Sequence, residues 1–240
     1  MATLPNKRPF HRARTIAACA VALAGLVPAS AARAAPASQA EDQRPLSMAQ
    51  IALFETPHLQ NVGHAETLDY QFSREGPGGF TDRLAMHVLQ VHPDRSKQLS
   101  FDFLTGARRV PYPEIDNFRG NPLLLLVLER DAQEMKATLG LSAAYFRNHI
   151  REAFVDCATV AVTEFSLDGK PVPARSVTVR PFADDTRLEH FPTVQGKTYT
   201  FVLSDSVPGS LAEMRIEMPP DVALKIPAFA QRITFQGVEP

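Results

Sequence analysis

The chain places both of its helix-like segments in one block, with strand-like segments before and after it. A helical pattern covers residues 121–154, whereas apolar and polar residues alternate over 68–112 and again over 160–238. Strands and helices that do not alternate one for one point to an α+β fold with antiparallel strands. We therefore predict an α+β protein that is mostly antiparallel β.

Cap residues predict where the two helices begin and end. Asn121 and Pro122 are typical of a helix start, and Gly140 is typical of a left-handed helix end. Ser142 predicts the start of the second helix, which runs through Phe154. The first half of the first helix, 123–128, is apolar on every side, which predicts burial all round. Before the helices, a fourth short strand is predicted near 107–112.

Two layouts satisfy this order. In the favoured one, an α+β lobe of residues 47–156, with an N-terminal β-meander and the helix pair, is followed by a small β-sandwich-like lobe of residues 157–240. In the alternative, all strands form one curved half-barrel sheet with the helices as a lid. At the level of architecture this alternative resembles the half-barrel carriers of bacterial lipoprotein sorting, which implies an apolar cavity. No family motif matches numbered positions of the chain.

Residues 1–34 have the pattern of a cleavable signal peptide. Four basic residues between positions 7 and 14 precede an apolar run over 16–27, and Ala32-Arg33-Ala34 ends the segment. The run is shorter than the roughly 20 residues that a permanent membrane helix needs, so no stable membrane anchor is expected. We predict cleavage between Ala34 and Ala35, a flexible leader over 35–46, and a periplasmic or secreted mature protein.

The net charge and the cysteine content limit the kinds of partner and cross-link that we expect. The signal carries five basic residues and no acidic one, so the net charge falls from −1 for the whole chain to −6 after cleavage. An acidic chain has no electrostatic footprint for nucleic acid. Only Cys157 remains after cleavage, which excludes an internal disulfide, and its position beside an apolar stretch predicts a buried thiol. No Cys/His set is present, so neither a metal site nor a cofactor is expected.

The segment 105–122, TGARRVPYPEIDNFRGNP, is the most unusual part of the sequence. Long loops that lead into a buried helix are common places for binding residues. We therefore select Arg108, Arg109, Tyr112 and Arg119 as candidate binding residues, for a carboxylate or phosphate group. The alternative is structural: the arginines pair with nearby acids and hold the loop.

No catalytic residue is predicted. The sequence contains no GxSxG, HExxH, P-loop or dinucleotide motif, and its histidines are scattered. Asp131 and Glu134 share a helix face, as paired carboxylates for catalysis would, but Arg130 beside them is typical of an ordinary solvated helix surface.

The sequence therefore favours a non-enzymatic function. We expect an exported binding or assembly protein of the bacterial cell envelope that carries apolar or lipid-like cargo, with a small apolar ligand or an envelope protein as its partner. Two alternatives stay open. One is an extracytoplasmic hydrolase that uses the helix carboxylates, and the other is a docking subunit of an envelope complex.

Overall fold

A computed structural model describes residues 44–76 and 78–239 of the chain. The predicted signal peptide, its cleavage position and most of the predicted leader lie outside the described residues. Within those residues, no helix combines the length and apolar character needed to cross a membrane.

The described strands form one antiparallel sheet. Their bounds are β1 Thr67–Glu75, β2 Phe80–Val91, β3 Lys97–Phe103, β4 Ile115–Phe118, β5 Thr159–Leu167, β6 Lys170–Val179, β7 Thr198–Leu203, β8 Leu211–Met218 and β9 Phe229–Glu239. The order across the sheet is β4-β3-β2-β1-β9-β8-β7-β6-β5. The prediction of a mostly antiparallel α+β fold is confirmed.

The first and last strands pair at the centre of this sheet. Their register runs from Thr67 opposite Glu239 to Glu75 opposite Ala230, so β1–β4 and β5–β9 belong to one continuous sheet. The sheet is open, with β4 and β5 at its edges. The prediction of a separate C-terminal β-sandwich is therefore wrong. The strands form the single sheet of the alternative layout. The central pairing joins positions too far apart in sequence for a local pattern to show.

The sheet has one apolar and one polar face, because successive side chains of a strand point to opposite sides. On β1, Leu68, Tyr70 and Phe72 are buried in the core, whereas Asp69 and Gln71 point the other way. The helices cover the apolar face. Large buried side chains of that face on the other strands include Leu84, Met86, Leu99, Phe103, Tyr199, Phe201, Met214, Ile216 and Ile233.

Two long helices, α1 (Leu123–Leu139) and α2 (Ala143–Asp156), connect β4 to β5. The predicted end of α1 at Gly140 and the predicted start of α2 at Ser142 are confirmed, whereas α1 is capped by Pro122 and not by Asn121, and α2 continues past Phe154 to Asp156. Gly140 ends α1 at φ 74°, and the Ser142 hydroxyl accepts a hydrogen bond from the Tyr145 amide at 3.1 Å at the start of α2. Shorter helical turns cover Met48–Gln50, Ile51–Glu55, His58–Asn61, Gly106–Arg108, Thr186–Leu188 and Pro192–Gln195.

Two local predictions are wrong. The fourth strand is Ile115–Phe118 and not 107–112, where Val110 makes only an isolated bridge to Phe103. Pro111 and Pro113 explain this, because proline has no amide hydrogen to donate to a ladder. Cys157 is exposed, because it is the C-terminal cap of α2 and lies before the first residue of β5.

Candidate functional site

An apolar cleft opens between α1, α2 and the helical turns of residues 48–55. Its volume is about 520 Å³. We call it the α1/α2 cleft. It is lined by Gln50, Phe54, Leu125, Leu128, Glu129, Arg147, Asn148, Ile150, Arg151 and Phe154.

Helical periodicity brings these side chains together. Residues three, four and seven apart share one face of a helix, and the lining residues 125, 128 and 129 of α1 and 147, 150, 151 and 154 of α2 follow this spacing. Leu125 is 48% exposed, although the apolar run of α1 predicted burial all round. The prediction is wrong at this position, because Leu125 lies at the wall of the cleft and is not covered by other side chains.

The third wall of the cleft is fixed to α2 by specific contacts. The Ser47 hydroxyl donates a hydrogen bond to the Phe154 carbonyl at 2.7 Å, and Ser47 and Gln50 form a reciprocal capping box. The rings of Phe54 and Phe154 meet edge to face at 5.3 Å. The turn Ile51–Glu55 is a single π-helical turn, a conformation that occurs often at functional sites.

The charged lining residues, which we call the rim of the cleft, have a net positive charge. Arg147 donates hydrogen bonds to both carboxylate oxygens of Glu129, at 3.0 and 3.2 Å, and Gln133 donates to the same carboxylate at 2.8 Å. Arg151 forms no ion pair within the described part of the chain. The lining residues therefore carry two positive charges and one negative charge.

Two of the arginines selected from the sequence pair with aspartates on the protein surface. Arg109 lies 2.9 Å from Asp102, and Arg119 lies 2.8 Å from Asp94. The hydrogen bond from Arg119 holds the pKa of Asp94 below its usual range. All four side chains are more than half exposed, so these contacts resemble the structural alternative.

The other two selected residues lie against aromatic rings. The guanidinium of Arg108 is 4.4 Å from the ring centre of Phe80, which stacks on Phe72 at the apolar face, whereas Arg109 lies with Asp102 on the polar face. Tyr112 packs edge to face on Phe103, and burial raises its pKa. The structure thus does not gather the four residues into one site, and their binding role stays a prediction.

Asp131 is held in a buried polar trio. It accepts hydrogen bonds from the Lys197 ammonium at 2.6 Å and from the Tyr199 hydroxyl at 2.5 Å. Asp131 is 7% exposed and Lys197 is 2% exposed. Burial, together with the negative charge of Asp131, raises the pKa of Tyr199 well above its ordinary value. The trio ties α1 to the start of β7.

Glu134 has different partners. It accepts hydrogen bonds from Arg74 at 2.9 Å and from Arg130 at 2.9 Å, and the guanidinium of Arg130 lies over Phe103. Asp131 and Glu134 therefore act as two separate ties between α1 and the sheet. They do not meet as a pair of carboxylates around a reacting group.

The histidines make local contacts. His87 lies between Thr67 and Asp102, 3.0 Å from each, on the polar face. His149 lies 3.4 Å from Asp185, to which Tyr145 donates a short hydrogen bond, and burial together with this carboxylate raises the pKa of Tyr145 to about 12. In the described residues, no three His, Cys, Asp or Glu side chains are arranged to hold a metal ion.

The cleft was not found from the sequence. Its arginines, Arg147 and Arg151, are four residues apart, and their spacing already places both on one helix face. The sequence does not show which segment packs beside this face of α2. That depends on where the helical turns of residues 48–55 lie in the folded protein.

Comparison with known proteins gives little further guidance. No protein-family model and no curated protein matches the sequence. The crystal structure of lipoprotein LppX of Mycobacterium tuberculosis is similar at a TM-score of 0.30 and 8% identity, over 75% of this chain and 90% of that chain. A DUF1329 family protein from Desulfovibrio piger is similar at a TM-score of 0.26 and 11% identity, over 76% of this chain and 88% of that chain.

Proposed function

We propose that the mature protein is an exported carrier that binds apolar or lipid-like molecules in the α1/α2 cleft. The observation that supports this is the cleft itself, about 520 Å³ in volume, with Phe54, Leu125, Leu128, Ile150 and Phe154 as its apolar lining. Small-molecule sites commonly have volumes of about 300–1,000 Å³ and mostly apolar walls. The export part of the proposal rests on the pattern of residues 1–34.

Hydrophobic burial supplies the driving force for such binding. Leu125 is a large aliphatic side chain that is half exposed at the cleft, and a ligand that covers it removes that surface from water. Each methylene group that a ligand buries contributes about 0.8 kcal/mol, or roughly a fourfold gain in affinity. Affinity should therefore rise with the length of an alkyl chain until the cleft is full.

The experiment titrates the purified mature protein with N-phenylnaphthylamine, an uncharged probe whose fluorescence increases in apolar surroundings. We expect saturable binding to the wild type and loss of binding in Leu125→Asp, because the new carboxylate places a charge in the apolar wall. The matched control is Val162→Asp on β5, since Val162 is 90% exposed and does not line the cleft. Absence of binding to the wild type, or equal binding to Leu125→Asp, would refute the proposal.

A second candidate, a docking subunit of an envelope complex, is favoured by one observation. The loop between β8 and β9 exposes three aliphatic side chains, and Val222 is 87% exposed. The others are Leu224 and Ile226. Apolar side chains that cluster on a surface often mark a contact with another protein. Cross-linking through Lys225 in intact cells tests this: an adduct that Leu224→Asp abolishes supports docking, whereas an unchanged or absent adduct contradicts it.

A further inference from the structure

The α1/α2 cleft combines an apolar wall with a cationic rim, and this combination selects a class of ligand. We propose that the cleft binds anionic amphiphiles, with the alkyl chain against the wall and a carboxylate or phosphate head group held by Arg147 and Arg151. This inference rests on the function proposed above and adds the charge of the ligand to it.

The two arginines lie next to each other on the face of α2 that lines the cleft. Arg147 and Arg151 are one helical turn apart on α2, and both line the cleft together with Ile150 and Phe154. Neighbouring like charges at this spacing destabilise a helix slightly. An anion between the two guanidinium groups removes that repulsion and gains charge-assisted hydrogen bonds, which arginine makes with particular geometric fit to carboxylate and phosphate.

The guanidinium groups of both arginines are accessible to a ligand. Arg151 forms no ion pair with any other described residue, so within this part of the chain no carboxylate competes with a ligand for its guanidinium group. The pair between Arg147 and Glu129 is 50% and 41% exposed at its two side chains, and such surface pairs contribute little stability. A head group can therefore replace Glu129 at Arg147, while Glu129 keeps its hydrogen bond from Gln133.

The same charges disfavour other head groups. Among the described lining residues Glu129 is the single carboxylate, and Arg147 and Gln133 already occupy it. A cationic head group would meet two arginines and no free acid. An uncharged head group would gain only the hydrophobic contribution of its chain.

The experiment compares ligands that differ only in the head group. Decanoate, decyl phosphate, decanol and decyltrimethylammonium, each below its critical micelle concentration, compete with N-phenylnaphthylamine for the wild-type mature protein. We expect decanoate and decyl phosphate to displace the probe at about tenfold lower concentration than decanol, as charge-assisted hydrogen bonds imply. Decyltrimethylammonium should be the weakest competitor. The preference should decrease with added salt because the rim is exposed.

Arginine variants test the assignment to residues. Arg151→Gln should reduce the preference for decanoate over decanol to about threefold, and Arg147→Gln/Arg151→Gln should abolish it; the preference is the ratio of the two affinities measured on the same variant. Arg180→Gln is the matched control, because Arg180 is an exposed arginine away from the cleft and the variant should keep the full preference.

The possible outcomes separate this inference from the proposed function. If the neutral probe does not bind, the cleft is not an apolar site and both fail. If the probe binds but decanol competes as well as decanoate, or the double variant keeps the preference, only the anionic assignment is overturned. Displacement by inorganic phosphate alone as effective as that by decyl phosphate would also overturn it, because it would show a site for the free ion and not for an amphiphile.

Discussion

The buried trio of Asp131, Lys197 and Tyr199 predicts that Lys197→Met severely destabilises the protein. The ammonium group of Lys197 lies 2.6 Å from a carboxylate oxygen of Asp131, in a part of the core that water barely reaches. Methionine has nearly the same length and fills the same space, so the substitution removes the charge with little change in packing. Among the described residues, the Tyr199 hydroxyl is then the remaining donor to the buried carboxylate of Asp131.

The expected loss follows from the geometry. At 2.6 Å and an effective dielectric constant of about 20, the attraction between the two charges is about 6 kcal/mol, and part of this offsets the cost of removing both ions from water. Removal of one partner of a buried pair typically costs about 3 to 5 kcal/mol. Because domains of this size have a free energy of unfolding of about 5–15 kcal/mol, the variant should lose a large part of its stability.

Urea unfolding, followed by circular dichroism, measures this difference. We expect Lys197→Met to lower the urea midpoint strongly, and Lys136→Met, an exposed lysine of α1, to leave it almost unchanged. A triple variant in which Lys197→Met is combined with Asp131→Leu and Tyr199→Phe should recover much of the loss, because no polar group is then left without a partner. A cost below about 1 kcal/mol for Lys197→Met would show that the trio is solvated and would refute the reasoning.

Three further predictions concern other sites. Burial raises the pKa of both Tyr70 and Tyr199 in the folded protein, so their contribution to stability is complete below about pH 10 and is lost as the pH rises further. The urea midpoint should therefore decrease at alkaline pH. A midpoint that does not change with pH in this range would contradict the prediction. Arg109→Ala should change the free energy of unfolding by less than about 1 kcal/mol, because its pair with Asp102 is exposed, and a larger loss in the same urea assay would make Arg109 a structural anchor. Cys157 should react with a maleimide in the folded protein as rapidly as in urea, and strong protection in the folded state would show that the thiol is buried.

The sequence predicts the helices well because their ends depend on local chemistry. Gly140 takes the left-handed conformation that favours glycine, and the Ser142 hydroxyl satisfies an amide of the first turn of α2, so both positions are marked by residue type alone. The tight turn between β5 and β6 also depends on local residue type, because Asp168 and Gly169 both have a positive φ, as a tight hairpin turn requires.

Features that depend on distant parts of the chain were not predictable in this way. Nothing in the pattern of β1 identifies β9 as its neighbour, so the sheet was expected to be divided. The exposure of Leu125 likewise depends on where α2 and the turns of residues 48–55 come to lie. The α1/α2 cleft is built from such contacts between distant segments, so the sequence pattern does not indicate it. The pattern instead indicated residues of one continuous segment, namely Arg108, Arg109, Tyr112 and Arg119.

The pairing of β1 with β9 also sets the order in which the protein can fold. The middle of the sheet forms only after β9 has been synthesised, and the large sequence separation of the paired strands makes this step slow. A chain truncated before Phe229 would leave β1 and β8 each with one unpaired edge, and exposed strand edges promote aggregation.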